Sequence, residues 1–391
     1  MRLKVCLVIP TLVKGGAEKQ LSLLAAGLDR AKFECHVIVL THSGPYETEL
    51  REQGIQVHLI GKRGKLDPTA YWRLARKLRD LRPDVVHTWL FAANSYGRMA
   101  AHRAQVPVII AGERSVDPWK QWWNFAVDRY LLKYTDTIVT NTRAVADFYA
   151  PHGIAAYRFT VIANAVVPPK VTPLSREQVF ERLKLPPRGA LVGAVGRLWK
   201  QKGYRELVWS AELLRVALKD VCVVIIGDGP EREQLLHYRD QVGADEAARF
   251  VGLREDTLEL MTGFDLLWNG SLYEGQSNTI LEAMACGVPV VASDIPGTRD
   301  LVEHNVTGLL YPLGDVGSLT RITNQLLREP ERMAAMSVAA KHRIAEHFSL
   351  SRLVSQHEEL YESLHRSKTK RASELDGSRK AGTIETPSTQ C

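Results

Sequence analysis

The chain has 391 residues, of which 45% are hydrophobic and 24% are charged, so it carries enough apolar surface for one large or two ordinary cores. This composition excludes a disordered protein and a small disulfide-stapled scaffold, and the length favours two domains. The net charge of +7 indicates a surface that meets phosphates or anionic lipid, but charge alone does not decide between them.

The cysteines and the apolar runs predict the compartment. No two cysteines form a Cys-x-x-Cys pair, and four of the five lie in apolar runs, where a reduced thiol behaves as a small hydrophobe. The N-terminal apolar run, Val5 to Ile9, is shorter than the core of a signal peptide, and no run approaches the ~20 residues of a membrane span. We therefore expect a cytoplasmic protein in a reducing compartment, which touches a membrane only peripherally, at its inner face.

Short β-branched runs alternate with helical patterns from the N-terminus onward. Helical patterns cover residues 18–28 and 69–81, and the predicted strands are residues 3–9, 34–40, 55–60, 84–87, 106–111, 136–140 and 159–164. This alternation predicts an α/β fold with a parallel, doubly wound sheet. We predict that residues 1–170 form one Rossmann-like domain.

The proline-containing stretch 164–173 predicts a linker, and the alternation begins again after it. The second set of predicted strands is residues 190–195, 221–227, 248–252, 264–269 and 288–293. Residues 171–348 are therefore predicted to form a second Rossmann-like domain, with a ligand cleft between the two. We assign residues 349–366 to a C-terminal helix that returns to the first domain. Residues 367–391 are polar and unpatterned, which predicts a disordered tail.

The segment 271–297 joins an acidic loop, a short helix and a strand. Ser277 or Asn278 can cap the helix. The helix N-terminus offers unpaired N–H groups and the positive end of the helix dipole to a phosphate. Glu274 and Glu282 bracket that position, and an ionised carboxylate accepts hydrogen bonds from two hydroxyls at once. The pair is therefore typical of a clamp for sugar or ribose hydroxyls.

This Glu-x7-Glu spacing, followed by AMACGVPVVASDIPG, resembles the signature of the family 4 retaining, nucleotide-sugar-dependent glycosyltransferases with the GT-B fold. The resemblance implies that Glu282 holds the donor ribose and that Glu274 contacts the donor sugar. It also implies donor contacts from the adjoining loop and first helical turn, through Gly275, Ser277, Asn278 and Thr279.

Two further segments lie where this resemblance requires them. GRLWKQKG follows a predicted strand and places Arg197 and Lys202 beyond its carboxyl end, where open α/β sheets bind ligands. The resemblance implies that these cations hold the donor diphosphate and stabilise the leaving group. The loop PTLVKGGAEKQ resembles the family's Gly-Gly loop, in which Gly15 and Gly16 let the backbone approach the donor. We assign catalytic roles to Arg197, Lys202 and Glu274.

The resemblance also bears on the nucleotide base and on metals. The backbone from Val251 to Arg254 is implied to face the base. The chain contains no Asp-x-Asp, the pair that presents oxygens to a divalent cation in the metal-dependent GT-A type. We predict no essential metal, and no cofactor besides the nucleotide-diphosphate sugar that serves as substrate.

The first domain is expected to bind the acceptor. The segment 84–100 resembles a family segment with a histidine at the end of the fourth strand, which places His87 and Asn94 at the cleft. A satisfied histidine at a strand end explains His87 equally well. After the next strand, many family members have a histidine that contacts the donor sugar, whereas this chain has Glu113 and Arg114. That role falls to Arg114, to His87, or to neither.

The basic excess is concentrated in residues 61–105, which carry ten Lys or Arg against three Asp. Within residues 71–81, a leucine stripe is expected to pack on the sheet and to leave the basic side chains outward with Trp72 at the rim. A solvated helix face and peripheral docking on anionic lipid fit this pattern equally. Three tryptophans follow the predicted acceptor loop and suit core packing as well as an interface or a lipid-linked acceptor: Trp119, Trp122 and Trp123.

We therefore expect a retaining glycosyltransferase that moves a sugar from a UDP- or GDP-sugar to a hydroxyl of a glycan or lipid-linked acceptor in cell-surface polysaccharide biosynthesis. An epimerase or hydrolase of the same fold would share donor recognition but needs an acid and a base in the cleft. A non-catalytic nucleotide-sugar-binding protein is suggested only by the missing histidine. A nicotinamide dehydrogenase is disfavoured because no strand is followed by Gly-x-Gly-x-x-Gly. No helix-turn-helix, zinc ligand set or RNP-like run supports a nucleic-acid partner.

Overall fold

The computed structural model describes residues 2–64 and 66–381. Its strands form two parallel sheets. The first sheet contains β1 (Leu3–Thr11), β2 (Phe33–His42), β3 (Gln56–Leu59), β4 (Val85–Trp89), β5 (Val108–Glu113), β6 (Thr137–Thr140) and β7 (Phe159–Val161). The second sheet contains β8 (Ala190–Val195), β9 (Val221–Ile226), β10 (Ala248–Gly252), β11 (Leu266–Asn269), β12 (Val290–Ser293) and β13 (Gly308–Tyr311). We call the parts of the chain built around these sheets the N-terminal half and the C-terminal half.

Helices connect the strands within each half. Those up to β7 are α1 (Gly16–Gly27), α2 (Pro45–Glu52), α3 (Pro68–Leu81), α4 (Leu90–Arg103), α5 (Trp122–Leu131) and α6 (Arg143–Tyr149). Those that follow are α7 (Arg176–Leu183), α8 (Tyr204–Leu218), α9 (Arg232–Gln241), α10 (Thr257–Met261), α11 (Asn278–Cys286), α12 (Pro296–Arg299), α13 (Val316–Leu327), α14 (Pro330–His347) and α15 (Leu350–Ala381).

The strand orders confirm the predicted architecture of two Rossmann-like sheets in the GT-B arrangement. The orders are β3-β2-β1-β4-β5-β6-β7 and β10-β9-β8-β11-β12-β13. The direction of winding reverses beside β1 and beside β8, and ligands of open α/β sheets bind at the carboxyl ends of the strands at such a reversal. Each strand predicted from the sequence is present. Strand β13, at the edge of the second sheet, was not predicted.

Both sheets are covered by helices, so alternate residues of a strand enter different cores. In β1, Val5 and Leu7 belong to one core, and Cys6 and Val8 belong to the core on the opposite face. This explains why the strands appear in the sequence as continuous apolar runs. In α3, the leucine stripe packs as predicted, since Leu74 and Leu78 are fully buried in the same core as Cys6.

The chain passes between the halves in two places. After β7 it leads to α7, whose Val179 and Phe180 lie in a core of the C-terminal half. After α14 it returns through α15, whose Leu353 and Tyr361 lie in the core of the N-terminal half beside β1. The two crossings are joined, because the Val166 backbone N–H donates to the Phe348 carbonyl at 3.0 Å. The domain limits 1–170, 171–348 and 349–366 remain predictions.

Helix α15 extends beyond its predicted end. It continues to Ala381, so the prediction of a disordered segment is wrong for residues 367–381, and the remainder of that predicted tail lies outside the described residues. Lys and Glu have good intrinsic helix propensity, so this polar segment can form a helix although it has no apolar pattern. Lys370 lies 3.9 Å from Glu374 one turn later, and Lys368 forms an ion pair with Asp136 of the N-terminal half at 2.7 Å. Such pairs support a solvated helix.

Candidate active site

The site is built around the N-terminus of α11, where the C-terminal half presents the Glu-x7-Glu segment. Ser277 occupies the N-cap position, yet its side chain makes no capping hydrogen bond in the described structure. Its hydroxyl accepts instead from the Asn269 amide at 3.3 Å, and the amide of Asn278 points to the N-terminal half. The predicted capping of the helix by Ser277 or Asn278 is therefore wrong. The first-turn N–H groups, including that of Thr279, lack a side-chain cap from either residue, which leaves them suited to a phosphate.

The two carboxylates of the motif lie on either side of this helix start. Glu274 is 8% exposed and precedes α11, whereas Glu282 lies within the helix and is half-buried. At the other end of the helix, Gly287 adopts φ +81° and closes it as a left-handed C-cap. The helix therefore starts and stops where the sequence predicts, and its start carries both acids.

Lys202 and Glu274, predicted to bind different parts of the donor, form an ion pair with each other. The same oxygen of Glu274 accepts from the Ser271 hydroxyl at 2.6 Å. Lys202 lies in the turn between β8 and α8, and this turn is fixed to the acidic loop because the Gln201 amide donates to the Tyr273 carbonyl at 2.8 Å. The nearly buried carboxylate is thus held in one orientation by a cation and a hydroxyl.

Arg197 lies at the carboxyl end of β8 with its guanidinium over the Trp199 ring, 4.2 Å from the ring centre. Burial raises the pKa of the Glu18 carboxyl on α1 of the other half, while its hydrogen bonds and the charge of Arg197 act in the opposite direction. Arg197 is therefore close enough to the N-terminal half for its charge to act on Glu18.

The Gly-Gly loop touches the motif helix directly. A Cβ on Gly15 would lie 2.2 Å from a carboxylate oxygen of Glu18, so that side chain occupies the space beside the turn. The Thr11 hydroxyl donates to the other oxygen of Glu18 at 2.9 Å. The Gly16 carbonyl accepts from the Asn278 amide at 3.1 Å. The glycines therefore bring the first turn of α1 against the first turn of α11.

Residues that the sequence analysis did not single out complete this junction. The Gln20 amide donates to the Ala165 carbonyl at 2.7 Å and to the Asn278 side chain at 3.1 Å. Asn164, at the start of the linker, donates to Asn278 at 2.9 Å. The Lys19 ammonium lies 2.5 Å from a Glu282 carboxylate oxygen. The only sequence signal for these residues was their position beside the Gly-Gly loop and the linker.

The segment predicted to face the base lies after β10. Val251 and Gly252 are half-buried, and Gly252 adopts φ +73°. Arg254 is held by both oxygens of Asp256, at 2.8 and 2.7 Å. Its side chain therefore stabilises its own turn, and the backbone of this segment is the part left for a base.

Of the two interpretations of His87, the structure supports the buried strand histidine and not the residue that faces the cleft. His87 is fully buried, its Nδ1 lies 2.8 Å from the Tyr361 hydroxyl of α15, and its ring stacks on His357 with centres 5.7 Å apart. Burial lowers the pKa of His87 well below its usual value and lowers that of His357 to about 3. Both imidazoles are therefore neutral near pH 7. His357 belongs to the returning helix α15, which covers His87.

Asn94 and Glu113 are also buried, and they support the acceptor side rather than line it. The Asn94 amide donates to Glu113 at 2.8 Å and to the Gly112 carbonyl at 3.0 Å, and its oxygen accepts from Thr88 at 2.6 Å. Glu113 also contacts the Lys120 ammonium at 3.3 Å. Asn94 was expected at the cleft and Glu113 was a candidate for the acceptor side, but these contacts direct both side chains inward.

Arg114 follows β5 at the junction of the halves. A Cβ on Gly275 of the acidic loop would lie 2.3 Å from the Arg114 carbonyl oxygen, which explains why a residue without a side chain stands there. Its guanidinium stacks on Trp89 at 4.6 Å and donates to Asn164. Burial lowers the pKa of Arg114 to about 9. Its side chain therefore turns inward towards Trp89 and the linker.

The loop between β5 and α5 supplies the exposed part of the acceptor side. Buried Lys120 anchors it, with Asp128 at 3.1 Å, and Asp128 in turn pairs with Arg98 at 2.6 Å. Asp117 is half-buried in this loop, and burial followed by the charge of Glu113 raises its pKa to about 7. Neither Asp117 nor Lys120 was predicted as a site residue.

An aromatic rim surrounds this loop. Trp119 and Trp123 are about half exposed, and each meets the Phe91 ring edge-on, with ring centres 5.9 and 6.1 Å apart. Trp122 is 79% exposed. These tryptophans therefore do not belong to the core, which leaves the interface or acceptor interpretation.

The basic surface is smaller than its composition indicates. Arg98 is fully buried, and Arg73 donates to the Ile60 and Gly61 carbonyls at 2.9 Å. Lys65 lies outside the described residues. Trp72 is 55% exposed at the rim of α3, as predicted.

Neither a membrane span nor a metal cluster is found in the described part of the chain. None of its helices combines the length and apolar character needed to cross a bilayer. Across residues 2–64 and 66–381, no group of three or more His, Cys, Asp or Glu is arranged to hold a metal ion.

Two family models match the chain on either side of the linker. Residues 14–168 match Glycosyltransferase Family 4, and residues 189–329 match Glycosyl transferases group 1. HepE of Anabaena, solved in complex with UDP and glucose, shares the fold with a TM-score of 0.82 over 93% of this chain and 100% of that chain, at 23% identity.

Curated relatives align with part of the chain. The 2-deoxystreptamine glucosyltransferase of Streptomyces kanamyceticus is 30% identical over 58% of this chain and 60% of its own length. The GDP-mannose-dependent alpha-mannosyltransferase of Mycobacterium tuberculosis is 29% identical over 70% of this chain and 74% of its own length. The 2-deoxystreptamine N-acetyl-D-glucosaminyltransferase of Streptomyces fradiae is aligned over 52% of its own length. The chain therefore spans little more than half the length of these two Streptomyces relatives. The sequence motifs, the two sheets and the family matches agree, and the chain belongs to the family 4, group 1 glycosyltransferases of the GT-B fold.

Proposed function

We propose that the protein transfers a sugar from a nucleotide-diphosphate sugar, UDP- or GDP-linked, to a hydroxyl of a glycan or lipid-linked acceptor, with retention of the anomeric configuration. The observation that carries the proposal is the arrangement at α11. Glu274 and Glu282 flank a helix start that Ser277 leaves without a side-chain cap. Arg197 and Lys202 lie at the facing end of β8. An anion with hydroxyls on both sides fits this arrangement, and a sugar nucleotide has that form.

Each part of the donor has a matching group. Glu282 accepts from the ribose hydroxyls, and Glu274, oriented by Lys202 and Ser271, accepts from a hydroxyl of the transferred sugar. Arg197, Lys202 and the N–H groups of α11 face the diphosphate. These groups stabilise the charge that develops on the diphosphate as the bond from the sugar C1 to its oxygen breaks. The new bond forms between C1 and the acceptor oxygen on the face that the diphosphate leaves, and the hydroxyl proton passes to a phosphate oxygen.

The same groups support transfer without a metal. Two cations and a helix N-terminus supply the positive charge that a divalent ion supplies elsewhere. We propose that neither a metal nor a cofactor is needed, and that chelation leaves transfer unchanged.

We propose that the acceptor lies against the loop between β5 and α5. Asp117 is close enough to Tyr273 of the acidic loop for its charge to raise the Tyr273 pKa, after burial as the larger cause. A carboxylate there can accept a hydrogen bond from an acceptor hydroxyl other than the attacking one, and the aromatic rim of Trp119 and Trp123 can pack against a sugar ring or a lipid. Basic residues of α3 with Trp72 suit peripheral contact with the anionic inner face of a membrane, where lipid-linked precursors of cell-surface polysaccharides are extended.

The relatives support a nucleotide-sugar donor without choosing one. Names among them include a GDP-mannose-dependent mannosyltransferase and a UDP-Gal-dependent galactosyltransferase of Escherichia coli. A hydrolase or epimerase, and a binding protein without turnover, remain the competing functions. A hydrolase or epimerase would release free or epimerised sugar in the absence of an acceptor. A binding protein would bind the donor and form no product.

The test is a panel of UDP- and GDP-sugars in thermal unfolding with EDTA present. A ligand that binds only the native state raises the midpoint, and at 100 times its Kd it adds about 2.7 kcal/mol. We expect one donor class to raise the midpoint, and Glu282→Ala to abolish the shift. Incubation of that donor with candidate acceptors and NMR of the product anomer then tests transfer and retention. A shift that needs a metal, or no shift with any donor, contradicts the proposal.

A further inference from the structure

Lys19 connects the two halves at the carboxylate assigned to the ribose. Its ammonium lies 2.5 Å from Glu282, and the two side chains are only 28% and 15% exposed. Lys19 belongs to the second turn of α1, directly after the Gly-Gly loop, and Glu282 to the second turn of α11. The ion pair therefore spans the cleft beside both helix N-termini.

The surroundings fix where this ammonium can go. The Gly16 carbonyl and the Gln20 side chain both bond to Asn278, at 3.1 Å each, and hold the first turns of the two helices together. Lys202 is already paired with Glu274, and Arg197 stacks on Trp199. Lys19, unlike Arg197, carries its charge on a flexible stem with three rotatable donors, and it can change partner without moving the backbone.

A bound donor changes the partner that suits this ammonium. The ribose hydroxyls need oxygens of Glu282, and Lys19 occupies one of them in this structure. The same donor brings a diphosphate to the helix N-termini within the reach of one lysine side chain. A diphosphate with two negative charges attracts an ammonium more strongly than a single carboxylate whose lone pairs are shared with hydroxyls.

We infer that Lys19 is a donor-binding residue that exchanges partners: its ammonium neutralises Glu282 in the free protein and moves to the donor diphosphate when the ribose hydroxyls bind Glu282. The inference rests on the proposed function. The exchange of partners by Lys19 makes recognition of the ribose and recognition of the diphosphate depend on each other. A nucleoside without phosphate must displace the ammonium and gives it no new partner, so the site selects for the diphosphate.

The test measures UDP, GDP, uridine and guanosine binding by calorimetry for the wild type and for Lys19→Met. A charge-assisted hydrogen bond contributes enough to lower diphosphate affinity about tenfold on its loss. We expect this loss for the nucleoside diphosphate that the wild type binds. The affinity for the matching nucleoside should be unchanged or higher, since Lys19 no longer competes with the ribose hydroxyls for Glu282. Lys19→Arg should restore most of the diphosphate affinity.

Lys14→Met is the matched control. Lys14 also pairs across the halves, with Glu255 at 3.0 Å, but both side chains are largely exposed. We expect its nucleotide affinities to equal those of the wild type. Equal losses of nucleoside and diphosphate affinity in Lys19→Met would show a merely structural ion pair, and unchanged diphosphate affinity would show no role in binding; either overturns the inference.

The two levels of proposal fail differently. If the wild type binds none of these nucleotides, the proposed function itself is wrong. If the wild type binds and Glu282→Gln loses binding, while Lys19→Met keeps the wild-type ratio of diphosphate to nucleoside affinity, only the exchange by Lys19 is wrong. Comparing thermal midpoints of Lys19→Met and Lys19→Gln separates a folding defect from a binding effect.

Discussion

Lys202 and Glu274 form an ion pair that joins the turn after β8 to the acidic loop before α11. Each was assigned to a different part of the donor, and the structure shows that they also orient each other. In the proposed function, Lys202 acts on the diphosphate and at the same time holds the carboxylate that binds the sugar. Removing either partner leaves the other partly buried and unpaired, which is costly in its own right.

Lys202→Ala should lower the rate of transfer by about 100-fold or more, because loss of one donor to a developing anion costs that much in comparable sites. Single-turnover assays with saturating donor measure the effect. Lys200→Ala, in the same turn and exposed, is the control and should retain wild-type rates. Transfer near the wild-type level in Lys202→Ala would remove this lysine from the diphosphate site.

Gly275→Ala should destabilise the junction between the halves. Its Cβ would lie 2.3 Å from the Arg114 carbonyl and 2.6 Å from the Asn141 side chain, and a backbone atom cannot yield as a flexible side chain does. Overpacking of this kind costs about 1–3 kcal/mol, which a lower thermal midpoint would report. Gly317→Ala is the control, since its Cβ would meet nothing nearer than 3.4 Å. Equal midpoints for the two variants would contradict this account of the acidic loop.

Stability should fall as the pH decreases below about 6.5, because His87 and His357 are buried in the neutral form and the unfolded chain takes up their protons first. Burial is the main cause of both lowered pKa values, and that of His357 is about 3. Each group makes the free energy of unfolding decrease by about 1.4 kcal/mol per pH unit between its unfolded and folded pKa.

Denaturant unfolding of the wild type and of His357→Gln between pH 6.5 and 5 measures this slope. The variant should show a smaller decrease in stability over that range, because one of the two histidines is gone. The same slope in both proteins would mean that His357 takes up its proton in the folded state as readily as in the unfolded chain.

Transfer at low acceptor concentration should increase with pH through about 7 if the ionised form of Asp117 binds the acceptor through a hydroxyl other than the attacking one, since burial raises the pKa of Asp117 to about 7. Asp117→Asn should remove this inflection and raise the acceptor KM, with the donor affinity unchanged. Trp119→Ala should also raise the acceptor KM, whereas Trp209→Ala, with a partly exposed indole on α8, should not. An inflection that persists in Asp117→Asn would assign the titration to another group.

The sequence predicts the two sheets well because buried parallel strands leave continuous apolar runs, and it predicts the acidic motif because the residues at a helix start are neighbours in the chain. It fails where distant segments meet. His87 was predicted to end a strand, but β4 continues to Trp89, and only the return of α15 places Tyr361 against His87. Lys19 and Glu282 are 263 positions apart, and no local pattern marks them as partners. The buried positions of Asn94 and Glu113 depend on contacts such as that of Glu113 with Lys120, which no local pattern predicts.

The hydrogen bond from Val166 to Phe348 joins the two segments that cross between the halves. Because the two covalent connections meet at one point, we expect the halves to open by rotation about it, which must also break side-chain contacts such as that of Lys19 with Glu282. In such a rotation the groups that travel farthest are those most distant from this point. Truncation before α15 would leave one crossing, remove the side chain of Tyr361 from the first core and expose His87 to water, so such a protein should lose stability and the defined path of closure together.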